Sequence, residues 1–222
     1  MKKLLSGVLA ASMLFGSSTV FADDKASDIR KQILELTKEL AEVSQTEGDI
    51  TYNVLESDPS CNIVACEITN NTEYDLHIHP SVTARNDEGE LQFAYITDDQ
   101  IIGAGDTIAV YLKMGNSDYM DIMRESTLEW GVRTEYSDYG TYNDNVEINV
   151  DASKKKIVLT PTVIDDVKCR LRATVVFFKD GKVVDVNDDS LLSIDDDSTI
   201  SLDYSGATAY DDYKVYYTAY NR

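Results

Sequence analysis

Residues 178–184 read FKDGKVV and residues 85–91 read RNDEGEL. In each, a glycine (Gly181 or Gly89) sits among turn-forming residues between segments rich in β-branched and aromatic side chains. Glycine adopts positive φ without steric cost, so both stretches are read as hairpin turns. The interval from Gly89 to Gly181 is the same as that from Thr107, in GDTIAVYL, to Thr199, in DSTISLDY. Between these landmarks, TDDQIIGAGDT lies against NDDSLLSIDDDST. One structural unit is therefore written twice, and a repeat of this kind decides the fold before any single motif does.

Around these landmarks, short runs alternate apolar and polar residues and are broken by Asn, Asp and Gly. The first unit supplies ITYNVL, NIVACEIT, LHIHPSVTAR, ELQFAYI, TIAVYLKM and TLEWGVRTEY. After a tyrosine-rich connection, SDYGTYND, the second supplies VEINV, KKIVLTPTVI, RLRATVVFF, KVVDV, TISLDY and YKVYYTAY. Period-two alternation with frequent turn signals predicts an all-β chain of two tandem antiparallel β-sandwiches, at residues 49–142 and 143–222. Trp130 is read as a core anchor.

Residues 1–22 read as an export signal. Lys2 and Lys3 precede an apolar stretch rich in small residues that ends at Ala22. The expected location is outside the cytoplasm, secreted or at the cell surface. Residues 23–48 form a predicted amphipathic helix, with Ile29, Ile33, Leu36, Leu40 and Val43 on a heptad seam through residues 26–44. That seam could join copies of the chain, although so short a coil is marginal alone in water.

The formal net charge is -20. Such a surface repels phosphate backbones and anionic lipid, which argues against nucleic-acid or electrostatic membrane partners. The cysteines are Cys61, Cys66 and Cys169. The first two stand in a predicted strand at a separation of about 16 Å, beyond disulfide reach. Cys66 shares a strand face with Val64 and Ile68 and is read as a core residue.

DVNDDSLLSIDD, residues 185–196, places Asp185, Asn187 and Asp189 at the alternating oxygen positions of a calcium loop. Position six, however, carries Ser190 where the sharp turn needs glycine, and strands flank the stretch in place of helices. It is read as a strand connection with Leu191, Leu192 and Ile194 turned to the core, leaving adventitious calcium as the only cofactor role. His77 and His79, the only histidines, stand two apart and share one strand face. They could supply two zinc ligands, with a third carboxylate that the sequence does not locate. The preferred reading is a polar strand face, with Pro80 marking an edge or bulge. The nucleophile elbow G-x-S-x-G does not occur, and IIGAGDT lies between strands where a phosphate loop must open a helix.

Fourteen tyrosines are the remaining signal. In the last strand Tyr216, Thr218 and Tyr220 share one face, and Tyr139 and Tyr142 stand in the connection. An exposed row of these rings could stack on a sugar or grip a partner protein.

EITNNTEYDLHI, RNDEGEL, IIGAGDT, VVFFKDGKVV and TISLDY with the following YDDYKVY resemble the FxLYD-type immunoglobulin-like domains of exported Gram-positive bacterial proteins. The likeness covers residues 50–222, although the F-x-L-Y-D string itself does not occur. The resemblance implies two immunoglobulin-like sandwiches at the exterior of a Gram-positive cell, with no catalytic residues to carry over. The expected function is a non-enzymatic binding or spacer protein acting on a protein or glycan at the cell exterior. The alternatives are a glycan-binding module using the tyrosines, or a metal-dependent hydrolase using His77 and His79.

Overall fold

A computed structural model of the chain describes residues 49–114, 126–164, 167–195, 197–206 and 209–221. The export segment and the heptad segment lie outside the described residues. Strands β1 (Ile50–Leu55), β2 (Ile63–Asn70), β3 (Leu76–Arg85), β4 (Leu91–Ile96), β5 (Gln100–Ile102), β6 (Thr107–Lys113) and β7 (Thr127–Tyr136) make the first repeat. A 3-10 turn at Asn143–Asn145 opens the second, followed by β8 (Val146–Ala152), β9 (Lys156–Val163), β10 (Arg170–Lys179), β11 (Lys182–Leu191), β12 (Ile200–Asp203) and β13 (Asp212–Tyr220).

Four antiparallel sheets result, and they follow one plan used twice. In the first repeat β2 lies between β1 and β6, while β3 pairs β7 along one edge and β4 and β5 along the other. In the second, β9 lies between β8 and β12, and β10 lies between β11 and β13. The hairpin glycines take the predicted conformation, with φ of 78° at Gly89 and 77° at Gly181. Asp180 also has positive φ, so Asp180-Gly181 closes β10–β11 as the two-residue turn that matches strand twist.

Alternation builds the layers. In β3 every second residue from Leu76 is buried; Ile78 meets Cys66, Ile68, Ile108 and Val110 from the facing sheet, and Val82 meets Val64 and Leu112. Trp130 touches both clusters of this layer. The second repeat is closed by Ile157, Leu159, Leu171, Val175, Phe177, Ile200 and Leu202. Full burial of side chains this size contributes about 1.5–3 kcal/mol each.

A third cluster joins the two repeats. Ile63 and Ala65 of β2 and Ala109 of β6 meet Val176 of β10, Val183 and Val186 of β11, and Tyr216 of β13. The sheets therefore stack four deep, with the sheet centred on β2 and that centred on β10 buried on both faces. This explains why Ala173–Phe177 is buried without a break. Val43–Arg222 forms one compact unit.

Three local expectations need correction. Strand β11 continues through Leu191 where a connection was expected, because β10 pairs with it along that whole length. Leu191 and Ile194 do pack on the core, but Leu192 is 76% exposed. Pro80 lies within a strand paired on both edges, at the gap between β4 and β5, where Thr97 donates to its carbonyl at 2.9 Å. Its missing N–H therefore breaks no ladder bond.

Candidate functional site

The polar groups of the two repeats meet around the central cluster. Asp75, in the turn before β3, accepts from Thr141 N at 2.7 Å, Thr141 Oγ1 at 3.0 Å and Ala104 N at 3.1 Å. Asn143 donates to Asp106 and accepts from Ala219 N at 2.7 Å, and Asn221 grips Gly140 and the Tyr142 hydroxyl. The tyrosine-rich connection is thus tied to both repeats.

Beside it opens a groove of about 290 Å³, lined by His77, Asp99 and Tyr139 from one side and Arg170, Arg172 and Tyr220 from the other. Arg172 bridges the repeats: its guanidinium lies 3.5 Å from Asp98 and 3.2 Å from Asp188, and it donates to the Asp99 carbonyl at 3.3 Å. These carboxylates offset the Arg172 charge, so the groove presents guanidinium and carboxylate groups side by side.

The tyrosines divide into different roles. Tyr220 and Tyr139 line the groove, and Tyr142 is half-buried as a prop for the connection. Tyr216 is not on an exposed row: it is 4% exposed, in the central cluster, and donates to Glu67. The first repeat covers that strand face, a contact that strand periodicity within the second repeat cannot reveal. Burial, reinforced by the Glu67 carboxylate, raises its hydroxyl pKa. Tyr74 and Tyr136, which the sequence reading passed over, are 51% and 76% exposed and meet edge-to-face at 5.5 Å. They flank a recess shared with Tyr139. The available signal was Tyr136 at the polar end of its strand and Tyr74 in an Asn-rich turn.

The histidines gain partners that the sequence could not place. Register sets His77 opposite Glu135 of β7, and His79 opposite Arg133. One donor atom from each of His77, His79 and Glu135 falls within 4.8 Å of the others. His79 Nδ1 lies 2.6 Å from Asp99 Oδ1, and His77 Nε2 lies 3.8 Å from Asp99 Oδ2.

Asp185, Asn187 and Asp189 follow one another along β11, so their side chains spread along a strand and do not wrap a common centre. Asp185 is already engaged: Lys113 donates at 2.8 Å, Ser205 N at 2.6 Å and Ser205 Oγ at 2.8 Å. Burial alone would raise its pKa, but these bonds outweigh it and hold the carboxyl below the usual range. Asn187 donates to the Asp203 carbonyl and Asp189 accepts from Ser190 N. The acidic stretch is a structural ladder on the edge of its sheet.

Cys61, Cys66 and Cys169 are free thiols, and burial pushes Cys66 up to about 12. A thiol so protonated makes a poor nucleophile. Among the described residues no helix is long and apolar enough to cross a membrane. No family model matches the chain, and no curated protein or solved structure matches it.

Proposed function

We propose that the chain is an exported, non-catalytic binding protein of the cell exterior. In this reading two immunoglobulin-like repeats, fused into one rigid body, bind a saccharide in the groove at their junction. The observation that carries it is the composition of that groove. Tyr139 and Tyr220 contribute aromatic rings to its lining, while Arg170, Arg172, Gln100 and Asp99 contribute planar hydrogen-bonding groups, and both repeats take part. Aromatic faces beside planar polar side chains suit a ring-shaped polyhydroxylated ligand, which is apolar on its faces and polar at its rim. The central cluster and the tethered connection hold the two walls at a fixed spacing, so binding orders few side chains and loses little entropy.

The test is a titration of cell-wall and capsular oligosaccharides against the full chain, read by isothermal calorimetry. At least one class should bind with one site per chain, and Tyr139→Ala with Tyr220→Ala should weaken it at least tenfold. Tyr136→Ala, on the flanking recess, should weaken it less. Equal binding by the double variant and the parent would refute the groove as the ligand site.

A further inference from the structure

The structure assigns a second site, independent of the groove's ligand: a three-donor centre for a borderline divalent cation such as zinc, formed by His77, His79 and Glu135. Three observations converge. First, sheet register delivers the donors. His77 and His79 are alternate residues of β3, and Glu135 stands directly across from His77 on β7, so all three project from one face.

Second, one donor is buried and has no partner. His79 Nε2 is sealed from solvent and lacks a hydrogen bond. Glu135 Oε1 lies 3.8 Å from it, too far for a hydrogen bond. With bonds of about 2.1 Å, two ligands at tetrahedral zinc stand roughly 3.4 Å apart. Closing that gap takes a small torsional shift of an exposed glutamate.

Third, the other side of the imidazole is already fixed as it would be at a metal. Asp99 Oδ1, at 2.6 Å, accepts from Nδ1, so Nε2 is the ring nitrogen turned toward Glu135. A carboxylate behind a histidine sets the tautomer and strengthens the ligand in many zinc sites. Asp99 leans toward both rings, because its second oxygen is 3.8 Å from His77 Nε2.

Two imidazoles and a carboxylate favour zinc and its neighbours over calcium, which prefers an all-oxygen shell. Three protein donors leave a coordination position open. Arg133 Nη2, at 3.4 Å from Glu135 Oε1, competes for that oxygen, so the site is expected to be of moderate affinity. His77 and Asp99 also line the groove, which places the cation at its rim.

The test uses the full chain carrying Cys61→Ser to remove the most accessible thiol, freed of metal by chelator and titrated with zinc chloride and calcium chloride. The two histidines make the readout specific: both imidazoles are followed by long-range proton–nitrogen NMR. One zinc per chain should bind in the micromolar range, with the His79 Nε2 resonance shifted, and calcium should leave both rings unchanged. His79→Ala should abolish this event and Glu135→Gln should weaken it at least tenfold, with an unchanged thermal midpoint showing that each variant folds. The shift in the parent chain needs no variant at all. Zinc binding that leaves both imidazoles unmoved, or that survives His79→Ala, would overturn the assignment, as would a lack of binding.

Discussion

The two repeats share a strand plan but cover their central strands differently. In the first, β3 is covered along one edge by two short strands, β4 and β5, with Pro80 at the break. In the second, β10 is covered by one long strand, β11. The break frees Asp98 and Asp99 from the ladder, which sets Asp99 against His79 and Asp98 against Arg172. The continuous β11 instead carries Asp185 and Asp188, which bind Lys113 and Tyr111 of the first repeat. The interrupted copy supplies the candidate chemistry, and the continuous copy supplies the adhesive.

The same contrast appears on the outward faces of β3 and β10. From β3 project His77, His79, Ser81, Thr83 and Arg85, all partly exposed. From β10 project Arg170, Arg172, Thr174, Val176 and Phe178, and the last two enter the central cluster. The largest expected effect follows from that difference. Val176→Asp places a carboxylate in the apolar layer between two sheets, where the cation across the pair, Lys214, is already bound to Glu67, adding the cost of a buried charge to the lost apolar contact. It should lower stability by at least about 3 kcal/mol in urea unfolding. Thr83→Asp, on the outer face of β3 and across from Glu129, should cost no more than about 1 kcal/mol. Similar losses at both positions would mean the repeats do not depend on their shared layer.

Acidity offers a reversible way to loosen that layer. Burial by itself would raise Glu67, but bonds from Lys214, Tyr216 and Asn53 overcome it and hold the carboxyl below its usual range, as Lys113 and Ser205 do for Asp185. Groups with depressed folded values stabilise at neutral pH and lose that contribution as they protonate. Stability should therefore fall as pH drops below about 4. Tyr111 and Tyr216 are shifted the other way, by burial and then by Asp188 and Glu67. Their hydroxyls must stay protonated, so stability should fall again above about pH 10. A thermal-melt series across pH checks both limbs, and Glu67→Gln should flatten the acid one.

Glu67→Ala is a smaller lesion. It leaves the buried Tyr216 hydroxyl without its acceptor, at a cost of about 1–3 kcal/mol. The exposed pair Arg85–Glu129 is its control, and Glu129→Ala should cost less than about 1 kcal/mol.

How much of this could be read from the sequence follows from the range of the forces involved. Strand boundaries come from local alternation, and LHIHPSVTAR and TLEWGVRTEY coincide with β3 and β7. The hairpin glycines were equally local. Contacts between repeats were not, because the residue facing Tyr216 is Glu67, far away in the chain. One signal was present: ATVVFF in β10 has no polar alternation, the pattern of a strand covered on both faces. The partner of the histidines was invisible for a related reason, since register across a sheet places Glu135 and nothing in the chain near His77 announces it.

The smallest effect tests the comparison itself. Gly89 and Gly181 both hold positive φ, and a Cβ at either would meet open space. Gly89→Ala and Gly181→Ala should therefore each cost only backbone strain, about 1 kcal/mol. Because the two glycines close corresponding hairpins, β3–β4 and β10–β11, in different repeats, they report on coupling between the repeats. If the shared layer makes Val43–Arg222 one cooperative body, each substitution should move a single unfolding midpoint by the same amount. If Gly181→Ala splits the transition, or moves one phase and leaves another in place, the repeats unfold separately and the central cluster is too weak to couple them.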